Sequence, residues 1–272
     1  MRRSSTDLFL NYAGQALIVL ILTFVLLPAV VVVIASFNGT SVLSFPPNSY
    51  SLRWFQNALE YRDFQRGLVN GLIVTAWAST LATLIGTTLA ILIHRFDFNS
   101  KKLLEGLLLS PLFIPHFMIG LGLLMLVSQL SMTRGFGIVV FSHILLVLPF
   151  VIRSVYVSLH NLDRRTELVA ASLGAKPFRV VTMITLPQLL PGLAGGWLFA
   201  AILSFNEFTA SLFVTTQATQ TLPVAMYNYV REYADPTLAA ISVIYIVTTT
   251  LLMVLAHRLL GLGKVLNIEE GR

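Results

Sequence analysis

Long apolar stretches, several of them twenty residues or more, follow one another along this sequence and limit what it can fold into. About 20 apolar residues are needed for a helix to cross a hydrocarbon core of ~30 Å, and a helix satisfies its own backbone groups there. Hydrophobic residues make up 56% of the 272 and charged residues only 11%, whereas soluble domains carry about 25% charged residues. The sequence therefore predicts an all-α polytopic membrane protein that forms a single transmembrane domain over residues 1–272.

Six transmembrane helices are predicted from the positions of the apolar stretches. They cover residues 14–37, 69–94, 103–130, 136–159, 188–214 and 237–259. The first stretch is longer than the ~7–15 apolar residues of a signal peptide, and no A-x-A-like cleavage site follows it, so we expect it to remain as a span. The chain has no cysteine, which excludes a disulfide framework, a thiol nucleophile and a cysteine metal site.

The distribution of Lys and Arg predicts which side of the membrane each connection occupies. Most of the 18 lie at the two termini, in the second and fourth connections and at the end of the fourth span: Arg2, Arg3, Arg95, Lys101, Lys102, Arg153, Arg164, Arg165, Lys176, Arg179, Arg258, Lys264 and Arg272. Positive residues favour the cytoplasm, so both termini and the fourth connection, residues 160–187, are predicted to be cytoplasmic. The net charge of +6 then reflects topology and does not indicate nucleic-acid binding.

The fourth connection contains the segment TELVAASLGAKPFRVVTMITLP, which is charged and interrupted by Gly and Pro. Asp163 is a predicted N-cap for a short helix over residues 164–173. Gly174 suits the left-handed position that ends a helix, and Pro177 suits the first turn of a second helix over residues 178–185. Such a helical hairpin is either a simple connector at the interface or a docking element for a cytoplasmic partner.

The same segment resembles the EAA loop of the inner-membrane permeases of ABC transporters. Gly174 is followed by nine residues and then by Ile-Thr-Leu-Pro, which is the spacing of that loop, and Ala170 also matches. Leu168 and Val169 stand where the family has Glu and Ala, with Glu167 one residue earlier. The segments SLRWFQNAL, LLLSPLFIPHFMIGLGLL and SFNEFTASLFVT resemble polyamine-type permeases, so the resemblance extends along nearly the whole chain.

This resemblance implies the six-helix fold of a type I ABC importer permease in the bacterial inner membrane. It implies a second permease, which it favours as a homologue, two ATPase subunits that bind ATP and Mg²⁺, and an extracytoplasmic binding protein. The implied substrate is a small polar, polyamine-like solute, although the subfamily also includes iron, opine and phosphonate importers. The implied ATPase-coupling residues are Glu167, Ala170, Ala171, Gly174, Pro177, Leu186 and Pro187. The sequence contains no G-x-x-x-x-G-K-[ST] phosphate loop, so we expect ATP hydrolysis in a separate chain and no cofactor in this one.

Glu207 is the single acidic residue deep within a predicted span. A carboxylate there is expensive and marks a candidate functional site by default. Ser204, Asn206 and Thr209 surround it in sequence, and helical spacing places Asn206 and Thr209 on one face with Glu207 and Ser211 on the next. We expect Ser204, Asn206, Glu207 and Thr209 to line a substrate path that favours a cationic or hydroxylated solute. A helix-packing or inter-subunit hydrogen-bond cluster is the alternative.

Two other function classes fit the composition less well. A membrane enzyme needs a catalytic constellation, and no paired Asp or Ser/His/Asp arrangement lies at membrane depth, so no catalytic residue is assigned. A stand-alone secondary transporter is expected to show internal repeats and several intramembrane ionisable groups. His116 and His143 also lie within predicted spans, without acidic or Cys companions at metal spacing. We expect both to be packing residues, and we assign no metal.

Overall fold

The computed structural model describes residues 5–42 and 44–259, and this part of the chain is α-helical with one isolated β-bridge between Asn38 and Tyr50. The predicted all-α fold class is confirmed. The basic residues Arg2, Arg3, Lys264 and Arg272 lie outside the described residues. The helices are α1 (Ser5–Ser36), α2 (Arg53–Glu60), α3 (Arg62–Arg95), α4 (Lys101–Leu109), α5 (His116–Gln129), α6 (Phe136–His160), α7 (Arg164–Ser172), α8 (Pro177–Val180), α9 (Leu186–Phe205), α10 (Ser211–Val214), α11 (Leu222–Glu232) and α12 (Thr237–Leu259).

Five helical runs of the described chain are long and apolar enough to cross a membrane. They are Asn11–Ser36, Arg62–Arg95, Phe136–His160, Pro177–Phe205 and Thr237–Val254. A sixth span results if Lys101–Leu112 and His116–Gln129 are counted as one broken helix. The number of spans thus agrees with the prediction only when this bent pair is included.

The third span is not the continuous helix that we predicted over residues 103–130. It bends by 104° between α4, which a 3₁₀ turn extends to Leu112, and α5. Pro115 disfavours the helical conformation at Ile114 and is itself extended, with φ −55° and ψ 135°. Pro111 also lacks the N–H that would continue the ladder. The apolar composition therefore predicted the span, but the two prolines break it.

The fifth span begins and ends earlier than predicted. A single helical run of 29 residues extends from Pro177 to Phe205, instead of a separate short helix over 178–185 followed by a span over 188–214. A π-helical turn, Val181–Thr185, joins α8 to α9, and Pro187 lies within the first turn of α9. Past Phe205 the chain is non-helical until α10 begins at Ser211.

The chain divides into two compact units, each with its own packing. One comprises the described residues up to Phe64 together with Met226–Val247. In this unit Trp54 is buried and donates its indole N–H to the Asn38 carbonyl at 2.6 Å. The rings of Phe64, Tyr229 and Tyr233 pack around Tyr61. The apolar span within α1 is exposed from Asn11 to Val30, as expected of a surface that faces lipid or another subunit.

The other unit comprises Gln65–Ala225 together with the described residues from Thr248 onward, and α6 forms the centre of its core. Val147, Val151 and Val155 of α6 are buried against α3 and α9. Small residues permit the close approach of α9, because a Cβ on Gly192 would lie 1.9 Å from Ser158 Oγ. Such small-residue contacts are typical of packing between membrane helices.

Candidate functional site

The first half of the 163–187 loop is a capped surface helix, as predicted. Asp163 Oδ1 accepts a hydrogen bond from the backbone N–H of Arg165 at 2.9 Å, which satisfies one of the unpaired N–H groups at the start of α7. None of the residues of α7 is buried. The helix is therefore held on the protein by few contacts.

Gly174 ends α7 in the left-handed conformation, which confirms the prediction for this turn. Its φ is +84°, and its N–H donates to the Ala171 carbonyl at 3.0 Å while the N–H of Ala175 donates to the Ala170 carbonyl at 3.0 Å. This pair of bonds is the Schellman motif. A Cβ built on Gly174 meets nothing within 4 Å. Glycine is thus favoured here by the backbone conformation and not by lack of space.

The half-buried side chain of Glu167 is held by two residues from other helical segments. Arg95, the last residue of α3, forms an ion pair with Glu167 Oε1. Thr185, the last residue of the π-helical turn, donates its hydroxyl to the same oxygen at 2.5 Å and accepts from Arg95 Nη2 at 3.0 Å. We call Arg95, Glu167 and Thr185 the clamp. It fastens α7 to the end of α3 and to the start of the fifth span.

Part of the outward surface of the loop is apolar, beside the exposed basic residues Arg164, Arg165, Lys176 and Arg179. Leu168, Val169, Leu173 and Phe178 are exposed large hydrophobic residues, and we call these four the apolar loop face. Of the other predicted coupling residues, Ala171, Gly174, Pro177 and Pro187 are exposed, while Ala170 and Leu186 are half-buried. The structure therefore separates these residues into an outward set and an inward set, and Glu167 belongs to the inward set.

The non-helical segment after α9, residues 206–210, forms what we call the polar break. Glu207 lies in it with 8% of its side chain exposed. Its Oε2 is 2.7 Å from His116 Nδ1, and its Oε1 accepts from the backbone N–H of Ala210 at 2.7 Å. His116 is the first residue of α5. The breaks in the third and fifth spans therefore meet at this pair.

His143 lies beside the polar break and is fully enclosed. Its Nδ1 is 2.8 Å from Ser204 Oγ, and its Nε2 is 2.8 Å from Ser211 Oγ. Each ring nitrogen has a hydroxyl partner, so the imidazole joins the end of α9 to the start of α10 across α6. This arrangement satisfies a buried polar group and agrees with the packing role predicted for His143.

The structure does not place Asn206, Glu207 and Thr209 on helical faces as we expected, since the helix ends at Phe205. Asn206 is exposed, and its amide donates to the Ile202 carbonyl at 2.8 Å, which caps the end of α9. Thr209 is exposed as well. Ser204 is buried against His143. Side chains of this type compete with the helical ladder for backbone groups, which accounts for the early end of the helix.

Sequence reasoning missed His116 as a partner of Glu207. The two residues are 91 positions apart, and no local spacing joins them. A usable signal was the position of His116 directly after Pro115, because a polar residue at an interrupted membrane helix is a candidate site. Within residues 5–42 and 44–259, no group of three or more His, Cys, Asp or Glu could hold a metal ion.

Residues 86–261 match the family described as the binding-protein-dependent transport system inner membrane component. This stretch contains both the 163–187 loop and the polar break. The chain belongs to this family. It is therefore the permease of a binding-protein-dependent ABC importer and not an enzyme.

Two curated relatives cover most of this permease. It is 30% identical over 244 residues to the spermidine/putrescine transport system permease protein PotC of Escherichia coli strain K12. The aligned region covers 90% of this chain and 92% of PotC. It is 29% identical over 251 residues to the putative 2-aminoethylphosphonate transport system permease protein PhnV of Salmonella typhimurium strain LT2. The aligned region covers 91% of this chain and 93% of PhnV.

The fold is similar to that of a solved transporter subunit. A chain in the crystal structure of a bacterial alginate ABC transporter, in complex with an alginate-pentasaccharide-bound periplasmic protein, superposes with a TM-score of 0.73. The match covers 93% of this permease and 94% of that chain, with 16% sequence identity. At this identity the similarity concerns the fold alone.

Proposed function

We propose that this permease forms, as one transmembrane domain, half of the path of a small cationic solute and that a separate ATPase drives it through the 163–187 loop. The observation that carries the proposal is the Glu207 carboxylate, held at the meeting point of two broken spans by a partly exposed His116. Non-helical backbone at membrane depth is tolerated where it is buried in protein or lines a water-filled cavity. A transport path meets that condition.

An amine is the substrate chemistry that the site and the relatives have in common. Glu207 has no Lys or Arg partner among the described residues, so a solute amine would not compete with a permanent cation. The named solutes of PotC and PhnV, spermidine, putrescine and 2-aminoethylphosphonate, each carry an amino group. Neither PotC nor PhnV is described as a transporter of iron or an opine. Ser204, Asn206 and Thr209 would provide hydroxyl and amide groups near it.

Coupling to the ATPase would use the outward part of the loop. The apolar loop face and the exposed Ala171, Gly174 and Pro177 offer apolar groups that a groove on a partner could bury. The half-buried Ala170 and Leu186 would support this surface from below, and Pro187 stiffens the start of α9. Glu167 would act indirectly, because the clamp keeps its carboxylate inside the protein.

The proposed assembly follows from the family. It contains a second, homologous permease, two ATPase subunits that bind ATP and Mg²⁺, and an extracytoplasmic binding protein. The Lys and Arg distribution supports cytoplasmic termini and a cytoplasmic loop. If the purified permease transported solute without an ATPase, this proposal would be wrong and a secondary transporter would take its place.

The coupling role is tested with two substitutions at Gly174 in the reconstituted complex. Val strongly disfavours the left-handed conformation, which costs about 1–2 kcal/mol for an L-residue, whereas Asn adopts it readily. We expect Gly174→Val to reduce substrate-stimulated ATP hydrolysis about tenfold and Gly174→Asn to retain most of it. Equal activity of the two variants, with equal membrane insertion, would contradict the role of this turn.

The path is tested with Glu207→Gln, which keeps the shape of the side chain and removes its charge. We expect uptake of a labelled diamine into proteoliposomes to fall, while ATP hydrolysis without substrate continues. Glu232→Gln serves as the matched control, because it removes the same charge from an exposed side chain at the end of α11. Unchanged uptake and unchanged preference among solutes in Glu207→Gln would exclude this carboxylate from the path.

A further inference from the structure

The Glu207 carboxylate is held by two bonds of different kinds. Oε1 accepts the backbone N–H of Ala210, and Oε2 faces His116 Nδ1, each at 2.7 Å. When the carboxylate is ionised it only accepts hydrogen bonds, and His116 Nδ1 is then the donor to Oε2. If the imidazole moved away, the bond to Ala210 would still orient the carboxylate. Oε2 would then be free for another donor.

His116 covers a carboxylate that is otherwise closed to solvent. Its side chain is 47% exposed, whereas that of Glu207 is 8% exposed. A solute that approaches Oε2 from the accessible side therefore meets the imidazole first. His116 is therefore placed to control access to the Glu207 carboxylate.

The backbones of α5 and the polar break pack directly against each other beside the pair, so a change of rotamer at His116 is the simplest way to uncover Oε2. Gly120, one turn after His116 in α5, packs directly against the backbone of Ala210, where a Cβ would lie 2.7 Å from the carbonyl oxygen. This contact prevents α5 and the polar break from closing further. It also leaves no room for α5 to slide toward Glu207.

We propose that His116 is the internal competitor of the substrate cation at Glu207. A solute ammonium group would displace the imidazole, donate to Oε2 in its place, and be released when the imidazole returns. A neutral solute gains less from this exchange, because its hydroxyl forms a hydrogen bond to the carboxylate without the added attraction of a positive charge, and an anionic solute is repelled. His116 would thus determine specificity for amines. The inference rests on the proposed path through Glu207.

Substitutions at His116 separate this role from a purely structural one, because they move affinity in opposite directions. The purified complex in nanodiscs, without its binding protein, is titrated with labelled putrescine, and butanediol is the neutral competitor. Removing the competitor in His116→Ala should tighten putrescine binding about tenfold, and installing a permanent cation in His116→Arg should weaken it by about the same factor. Butanediol should compete in neither.

The outcomes distinguish the two proposals. If wild type neither binds nor takes up putrescine, the cationic path through Glu207 is wrong. If wild type binds it and both variants weaken binding, or neither changes it, the competitor role is wrong and the path remains. Should His116→Ala fail to assemble, His116→Leu replaces it, because leucine fills a similar space without a hydrogen-bond donor. This variant should also bind putrescine more tightly than wild type.

Discussion

The clamp predicts how firmly α7 is attached to the membrane helices. α7 has no buried residue, and Glu167 is its strongest link to Arg95 of α3 and Thr185 of the π-helical turn. Arg95→Gln removes the charge and keeps most of the side-chain length. We expect this variant to release α7 locally while the rest of the fold remains intact.

The size of the effect follows from the exposure of the pair. Breaking a fully buried ion pair costs about 3–5 kcal/mol and an exposed one about 0–1 kcal/mol. The Arg95 and Glu167 side chains are 21% and 13% exposed, so we place the loss between these limits, at about 2 kcal/mol. That free energy raises the population of the detached helix about 30-fold.

Hydrogen exchange of the α7 amides measures this population directly, because exchange in a transiently opened segment follows the opening equilibrium. The control is Asp97→Asn, which removes the exposed ion pair with Lys101 (3.0 Å, Asp97 99% exposed) and should change exchange less than about fivefold. If Arg95→Gln leaves α7 exchange at the wild-type rate, other contacts hold the helix and the reasoning is refuted. A double variant with Glu167→Gln should add little, since the two residues share one interaction.

Two further predictions concern packing and pH. Gly120→Ala should destabilise the protein by about 1–3 kcal/mol, because its Cβ would lie 2.7 Å from the Ala210 oxygen. Gly122→Ala is the control and should be neutral, because its Cβ would meet nothing within 4 Å. The melting temperatures of the two variants in detergent test this, and equal values would contradict the contact between Gly120 and Ala210. Burial raises the pKa of Tyr229 to about 12 from 10.0, so its neutral phenol contributes stability that is complete below pH 10.0 and is lost as the pH rises toward 12. Stability of Tyr229→Phe should depend less on pH in this window, and an identical alkaline loss in both proteins would exclude Tyr229 as its cause.

The parts of the fold that depend on local chemistry could be predicted from the sequence. Span positions follow from apolar composition, and the turn at Gly174 follows from a glycine that precedes a proline by three residues. Both are decided within a short stretch of chain. The Asp163 cap is of the same kind, because its bond to Arg165 spans two residues.

The polar contacts could not be predicted in this way, since each joins residues that are far apart in sequence. The pairs Arg95–Glu167 and His116–Glu207 are separated by 72 and 91 positions. The predicted end of the fifth span was also wrong, and the reason is physical. Averaging hydropathy over a window treats residues 206–210 as part of an apolar span, whereas Asn206 and Glu207 bond to nearby backbone groups and stop the helix there.

The continuous helix from Pro177 to Phe205 connects the two candidate sites. The helix begins at Pro177, just after the Schellman turn of the loop, and its π-helical turn contains Thr185 of the clamp. It ends at Phe205, directly before the polar break. At 1.5 Å per residue, 29 residues extend roughly 43 Å. A displacement of the loop would therefore be carried to the segment that contains Glu207 along one element, without an intervening flexible connection. The clamp, which also holds α3, would determine whether the loop and this helix move together.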